Sequence, residues 1–238
     1  MKYALIGYGR MGRAIEAAAG ARGHVLGTIV DRTSPGKGIA RSMSAARWRG
    51  VTVAFEFTGP EAARDHVVAA LARGVSVVCG TTGWDANDKA VRAAAKASGA
   101  AAVIAPNFSV GMNLFYTVVA DAARHYLGVG GYDPWVAEWH HRAKVDRPSG
   151  TALSLAKLIG PDVSIAAVRA GHQPGRHLVG FDGPHDAVTL EHVARGREGF
   201  AAGAVLAAEW LRGRRGVHGF DDVLDGLARG RKRQGGRR

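Results

Sequence analysis

Apolar residues fall along this chain in two rhythms. In the first half, unbroken apolar runs at Lys2 to Ile6, His24 to Val30, Val51 to Phe57, Val75 to Cys79 and Ala101 to Ala105 read as buried strands. Segments of helical period separate them. An Ala-rich stretch runs through Ala19, Pro60 opens a helix with Ala63, Val67, Ala70 and Leu71 on one face before Gly74, and a third helix starts at about Asp85. Strand and helix alternating in this way predict an α/β domain built on a doubly wound parallel sheet. The turns Gly7 to Gly12, Thr58 to Pro60 and Gly80 to Gly83 should then gather at its carboxyl edge, where such sheets bind ligands.

After Pro106-Asn107-Phe108-Ser109 the rhythm changes. A helix carrying Phe115, Val118, Val119 and Ala122 on one face leads to a strand at 135 to 140 with Val136, Glu138 and His140 on one side and Trp135, Ala137 and Trp139 on the other. A helix follows from near Gly150, with Ala152, Leu155, Ala156 and Ile159 in step before Gly160. Strands at Val163 to Val168, His177 to Phe181 and Ala187 to Val193 come without intervening helices, which predicts a second, α+β domain on an open mixed sheet. The expected division is 1–108 for the first domain, 109–211 for the second, 212–228 returning to the first with a helix at Asp221 to Ala228, and a disordered basic tail over 229–238.

The tail changes how the charge is read. The formal net charge is +12, yet Arg229, Arg231, Lys232, Arg233, Arg237 and Arg238 stand at the end with no acid among them. Half of the excess is therefore a Gly-rich solvated segment, and nucleic-acid binding is expected only as non-specific contact through it. No run of about 18 apolar residues and no cleavable leader is seen, so neither a membrane span nor secretion is expected and the cytoplasm is the default. Cys79 is the one cysteine, which leaves no intrachain disulfide and no cysteine-rich zinc site; the histidines lack metal-ligand spacing, and no metal is expected.

Two stretches carry chemistry. Gly7-Tyr8-Gly9-Arg10-Met11-Gly12 lies between the first strand and its helix, the context a GxGxxG turn requires. Gly7 permits the tight turn, Gly9 lets backbone approach a pyrophosphate, Gly12 lets helix and strand pack closely, and the helix start faces the phosphates. This makes the first domain Rossmann-type. Asp31 lies 24 residues beyond Gly7, where a carboxylate would meet the adenine ribose of NAD, while Arg32 could meet the 2′-phosphate of NADP. Either NADH or NADPH fits this pair.

The second stretch is Glu138-Trp139-His140-His141-Arg142-Ala143-Lys144-Val145-Asp146-Arg147-Pro148-Ser149-Gly150-Thr151-Ala152. Ser149 is a good N-cap, and the free amides of Gly150 and Thr151 would share a space with the Lys144 ammonium, a combination suited to a carboxylate or phosphate. His140 and His141 supply proton donors. The plainer reading is a capped helix after a polar loop with satisfied histidines. His192, on a strand face with Val188 and Leu190, reads as a core histidine, whereas His177 could face the substrate.

Together these residues resemble the 4-hydroxy-tetrahydrodipicolinate reductase family of the diaminopimelate route to lysine. The likeness runs nearly end to end, through Gly7 to Arg13, Phe57 to Glu61, Gly80 to Gly83, Asn107 to Gly111, Glu138 to Ala152, Arg169 with Gly171, and Phe200 to Ala204. It implies hydride transfer from NADH or NADPH to an unsaturated ring dicarboxylate, usually in a homotetramer joined through the second domain's sheet. It further implies His140 as proton donor, Lys144 and His141 as substrate contacts, and Ser149, Gly150 and Thr151 around a substrate carboxylate. Cofactor contacts are expected at Gly7, Gly9, Arg10, Met11, Gly12, Asp31, Arg32, Thr58, Gly80, Thr82, Asn107 and Phe108, with Gly80 and Thr82 in the turn that holds the nicotinamide. Arg147 stands where the family string usually has Ala, and the segments 32–50 and 160–169 are shorter than in longer members. Another nicotinamide oxidoreductase acting on an anionic imine or amino acid would share the first domain. A short-chain enzyme is excluded, since no tyrosine has a lysine four positions later. A non-enzymatic nucleotide-sensing or nucleic-acid-binding protein leaves His140, His141 and Lys144 without a role.

Overall fold

The computed structural model describes residues 1–235, with side chains to Arg229. Its described residues divide into two compact units, one of residues 1–109 and 200–235, the other of 110–199.

The first unit begins β1 (Lys2–Ile6), α1 (Arg10–Ala21), β2 (Val25–Val30), β3 (Ile39–Ala40), β4 (Val53–Glu56), α2 (Pro60–Leu71), β5 (Ser76–Cys79), α3 (Lys89–Ser98) and β6 (Ala101–Ile104). The second unit is α4 (Val110–Val129), β7 (Asp133–His140), α5 (Gly150–Ile159), β8 (Ser164–Arg169), β9 (Arg176–Asp182) and β10 (Ala187–Val193). The chain then returns to the first unit through α6 (Glu198–Trp210), β11 (Gly216–His218) and α7 (Phe220–Gly235).

Seven parallel strands form the first sheet in the order β11-β6-β5-β4-β1-β2-β3. Helices on both faces leave no polar side to the central strands. Tyr3 to Ile6 and Val53 to Glu56 are accordingly buried at every position, which is why they read as runs rather than alternations. Strand order reverses between β1 and β4, the switch point at which open α/β sheets bind ligands.

The second sheet has the order β10-β9-β7-β8, with β7 parallel to β8 and the other pairs antiparallel. Its registers place Val136, Glu138, His140, His177, Val179 and Phe181 on one face. Met112, Phe115 and Val119 of α4 and Ala152, Leu155 and Ile159 of α5 pack with the apolar members of that face in one cluster. The other face carries Trp135, Ala137, Trp139, Val168 and Val193, and no helix of this unit closes it. Val168 and Val193 are 36% and 49% exposed.

Four expectations shift. Val118 is exposed, because α4 buries Met112, Phe115, Val119 and Ala123 and turns position 118 outward. Helix α3 starts at Lys89 rather than near Asp85, since Asp88 is the residue whose carboxylate accepts the Ala90 amide at 2.7 Å. The return to the first unit begins at Phe200, not Arg212. Helix α6 buries Ala201, Gly203, Ala204, Val205, Ala207 and Ala208 nearly all round, so it offers no one-sided apolar stripe to read. Finally, α7 continues to Gly235, through residues 229 to 235 that composition assigns to a disordered tail. Asp221 and Asp222 in its first turn and Arg229 beside Asp225 at 3.9 Å suit the helix dipole, which a count of Gly and Arg does not weigh. Arg237 and Arg238 lie outside the described residues.

Helix α6 is held by a close approach and by charge. A Cβ on Gly203 would lie 1.8 Å from the Phe108 carbonyl oxygen. Glu209 accepts from the Arg22 guanidinium at 2.8 and 2.6 Å and lies 2.9 Å from His24. Gly203→Ala should therefore lower stability by at least about 2 kcal/mol through overpacking against backbone. Gly20→Ala in α1, where the added methyl meets nothing within 4 Å, should raise it by about 0.5–1 kcal/mol. Urea unfolding midpoints read both, and equal midpoints for Gly203→Ala and wild type would rule out the close approach.

Candidate active site

At the switch point, two of the three glycines are explained by what a side chain would strike and the third by the space it leaves open. Gly7 has φ +92°, and a Cβ there would lie 2.3 Å from the Phe57 carbonyl oxygen, so β1 and β4 can approach only at this residue type. A Cβ on Gly12 would lie 2.3 Å from the Gly7 oxygen. A Cβ on Gly9 would meet nothing within 4 Å, so its bareness serves open space at the N-terminus of α1, which has no acidic residue in its first turn. That is the cradle a pyrophosphate needs.

Beside it is a cavity of about 460 Å³ lined in part by Gly7, Gly9, Asp31, Arg32, Arg41 and Thr58. Asp31 accepts the amides of Tyr8 at 2.7 Å, Thr33 at 2.8 Å and Ser34 at 2.6 Å. Burial works against its charge, but these amides outweigh it and the carboxyl stands at about 2. The carboxylate thus shapes the turn that borders the cavity. Arg41 donates to the carbonyls of Asp31, Arg32 and Ser34, placing a second guanidinium beside Arg32. Residues and space fit a dinucleotide.

The neighbouring turns are pinned from beneath. Glu56, wholly buried, accepts from the hydroxyls of Thr58 and, at 2.6 Å, Thr81, and from the Cys79 thiol at 3.3 Å. Thr81 in turn accepts the Thr58 amide at 2.9 Å. Burial pushes the Cys79 thiol well up, leaving it a protonated donor. Gly80 has no room for a side chain, since a Cβ would enter the Phe57 ring at 2.1 Å, and Thr82 is exposed at the same turn. Phe108 is 2% exposed between the rings of Phe57 and Phe220, so its side chain is not open to a ligand. Asn107 accepts the Ser109 amide at 2.8 Å. Arg10 is exposed and Met11 half-buried at the start of α1.

In the second unit, β7 ends at His140 and the loop from His141 leads to α5. Glu138, 0% exposed, is the hub of the polar network here. It accepts the Ser149 amide at 2.8 Å, the Ser149 hydroxyl, and Arg169 Nη2 at 2.7 Å. Its Oε2 lies 3.2 Å from His140 Nδ1 and 3.5 Å from His177 Nε2. Arg169 Nη2 also donates to the Asp146 carbonyl at 2.5 Å, and Lys144 Nζ pairs with the Asp146 carboxylate at 2.6 Å. His141 is half-buried, with its amide on the Gln173 carbonyl at 2.7 Å.

Burial opposes the Glu138 charge, but Ser149 and Arg169 overcome it and hold its carboxyl below the usual range. Asp146 is likewise opposed by burial and lowered by the Lys144 ammonium and the Gly150 amide. A carboxylate of the loop therefore already occupies the two groups expected to bind one. His140 is pushed down by burial, with Glu138 and Asp146 raising it and Lys144 and Arg169 lowering it. His177 is pushed down to about 4, by burial first and then by His140. Both rings are neutral at neutral pH in the ligand-free protein. A Cβ on Gly175 would lie 3.2 Å from His140 Nε2, so glycine keeps that nitrogen uncrowded.

The fold thus assembles His140, Lys144 and Gly150, which the sequence singled out, and His177, which it read as able to face the substrate, with Glu138, Asp146 and Arg169, which it gave no assigned role. Ser149, expected as a substrate contact, is 2% exposed and committed to the Ala152 amide at 3.2 Å and to Glu138, so its work is capping. Thr151 is half-buried beside Gly150, and Arg147 is exposed. Ligand atoms of Glu138, His140 and His177 lie within 4.8 Å of one another, a grouping that could hold a metal ion. The Arg169 guanidinium on Glu138 opposes a second cation there, and the carboxylate's acceptors are already used. One signal in the sequence marks the hub: Glu138 is an acid at an inward position of an alternating strand. Arg41 carries no such mark.

Residues 1–108 match the family model for the dihydrodipicolinate reductase N-terminus and residues 111–224 that for its C-terminus. Among curated relatives, the 4-hydroxy-tetrahydrodipicolinate reductase of Christiangramia forsetii is 33% identical over 95% of this chain and 99% of its own. That of Chromobacterium violaceum is 38% identical over 91% and 95%. The dipicolinate-bound dihydrodipicolinate reductase from Paenisporosarcina sp. TG-14 shares the fold, with a TM-score of 0.77 at 20% identity over 92% of this chain and 97% of that one. Matched in both units and along nearly its whole length, the chain belongs to the dihydrodipicolinate reductase family.

Proposed function

We propose that this protein reduces the dihydrodipicolinate formed from 4-hydroxy-tetrahydrodipicolinate to tetrahydrodipicolinate, in the diaminopimelate route to lysine. The observation that carries this reading is the second unit's arrangement of a nearly buried His140 with a lysine and the Ser149-capped start of α5. NADH or NADPH, when bound, supplies the hydride. The glycine turn and the amides opening α1 hold its pyrophosphate, Asp31 takes a ribose hydroxyl, and Arg32 and Arg41 stand where a 2′-phosphate would lie.

Reduction of a conjugated C=N places negative charge on the ring, and a proton from His140 Nε2 quenches it. The substrate's carboxylates displace Asp146 from Lys144 and from the Gly150 amide, while Thr151 and His141 complete the contact. His140→Ala and Lys144→Ala should each lower kcat by about 10²- to 10⁴-fold while cofactor Kd is kept. Cofactor oxidation with freshly generated substrate is the assay. Wild-type protein inactive there, or either variant near wild type, would remove the reading.

Both cofactors should support turnover, and Arg32→Ala should reduce kcat/KM for NADPH about tenfold more than for NADH, the scale of one charge-assisted contact. Equal losses would place Arg32 outside the cofactor site.

The helix-free face of the second sheet, with Trp135, Trp139, Val168 and Val193, is the surface through which copies join as a homotetramer in the cytoplasm. Val168→Asp with Val193→Asp should reduce the mass in light scattering to that of a smaller species. A wild-type protein that runs as a monomer of 24.9 kDa would dismiss this assembly.

A further inference from the structure

Glu138 lies out of reach of solvent, yet it meets both groups on which the proposed chemistry depends. On one side is the imidazole of His140, whose Nδ1 lies 3.2 Å from Oε2, in ion-pair range, and makes no hydrogen bond among the described residues. On the other is the start of α5, whose cap residue gives Glu138 both its amide and its hydroxyl. Arg169 on β8 adds a third tie, from the same carboxylate to the backbone of Asp146.

We infer that Glu138 is the positioning residue of this site, one carboxylate that sets the proton donor His140 and the carboxylate-binding start of α5 as a single unit. The inference rests on the proposed reductase reading. It explains why an acid sits at an inward strand position, where an apolar residue would pack at lower desolvation cost. A carboxylate beside Nδ1 keeps a proton on that nitrogen, so the proton that leaves is the one on Nε2 and the ring stays oriented afterwards. The same carboxylate holds Ser149 as cap, and the cap fixes where the Gly150 amide points.

The groups facing His140 give the charge effect its sign. Glu138 of its own strand and Asp146 of the loop favour the imidazolium; Lys144 of the loop and Arg169 of β8 oppose it, as does burial, and His177 of β9 stands across from it with ring centroids 5.0 Å apart. Neutralising Glu138 leaves two cations and burial opposed by Asp146 alone. His140 must then give up its proton at lower pH.

Two variants separate charge from reach. Glu138→Gln keeps length and shape but not charge. It should lower kcat about 10²-fold, leave substrate KM within about threefold, and move the His140 titration, followed by imidazole NMR without substrate, to lower pH. Glu138→Asp keeps the charge and withdraws it by one methylene from Ser149. It should raise substrate KM about tenfold with a smaller loss of kcat. Cofactor Kd, a property of the first unit, should be unchanged in both. A residue that only supported the fold would alter thermal stability without moving the His140 titration or dividing KM from kcat in this way. If His140 titrates at the wild-type pH in Glu138→Gln, or in Glu138→Asp should the glutamine protein not fold while KM stays at the wild-type value, the assignment is overturned. Because the titration needs no substrate, a wild-type protein that fails to reduce dihydrodipicolinate sinks the reductase reading while the hold of Glu138 on His140 is still decided.

Discussion

A carboxylate taken wholly out of water demands donors on its lone pairs, and in each unit one glutamate imposes that demand. Left unanswered, such a charge would cost several kcal/mol, comparable to the whole stability of a domain. Glu138 is answered by Ser149 and Arg169, Glu56 by Thr58, Thr81 and Cys79. In both cases the donors come from outside the strand that carries the acid, from the ends of neighbouring strands (Arg169, Cys79) and from loops (Ser149, Thr58, Thr81). The loops cannot drift without exposing an unpaired charge, so the desolvation penalty becomes the force that keeps site residues in register. Burial thereby converts an unfavourable placement into a rigid one.

Backbone sterics make the complementary contribution. Gly7 lets β1 and β4 close to a separation no Cβ would permit, Gly12 seats α1 on the turn, and Gly203 lets α6 rest on the Phe108 carbonyl. These absences bring the carboxyl edge of the first sheet together at its switch point. Glu56 then fixes the two turns that follow β4 and β5. The second unit is arranged differently: the covered face of its sheet carries Glu138, His140 and His177, and the other face carries Trp135, Trp139, Val168 and Val193.

Much of this is legible in the residues. Strands β1, β2, β4, β5 and β6, the GxGxxG turn and the capped start of α5 are local features, and each is written in fewer than fifteen positions. What escapes is non-local or lacks a period. Helix α6 is apolar on nearly every side, so no stripe betrays it. Strands β3 and β11 are two and three residues long, below what alternation can register. Arg41 reaches the Asp31 turn through three backbone carbonyls, a contact set by a loop's path rather than by spacing. Ser149 reads as an N-cap from its neighbours alone, whereas its commitment to Glu138 depends on a strand eleven residues away.

The charge balance around His140 then acquires a direction. In the ligand-free protein the ring is neutral, since burial and two cations outweigh Glu138 and Asp146. Asp146 meanwhile stands in for an anion, paired with Lys144 and the Gly150 amide. A dicarboxylate that takes over those partners leaves Asp146 unpaired and adds negative charge beside a histidine whose protonation only positive neighbours and desolvation were resisting. Both changes favour the imidazolium. In the proposed reaction the donor would thus be loaded by the arrival of the anion it protonates, which is the advantage of setting His140 and the start of α5 on one buried carboxylate.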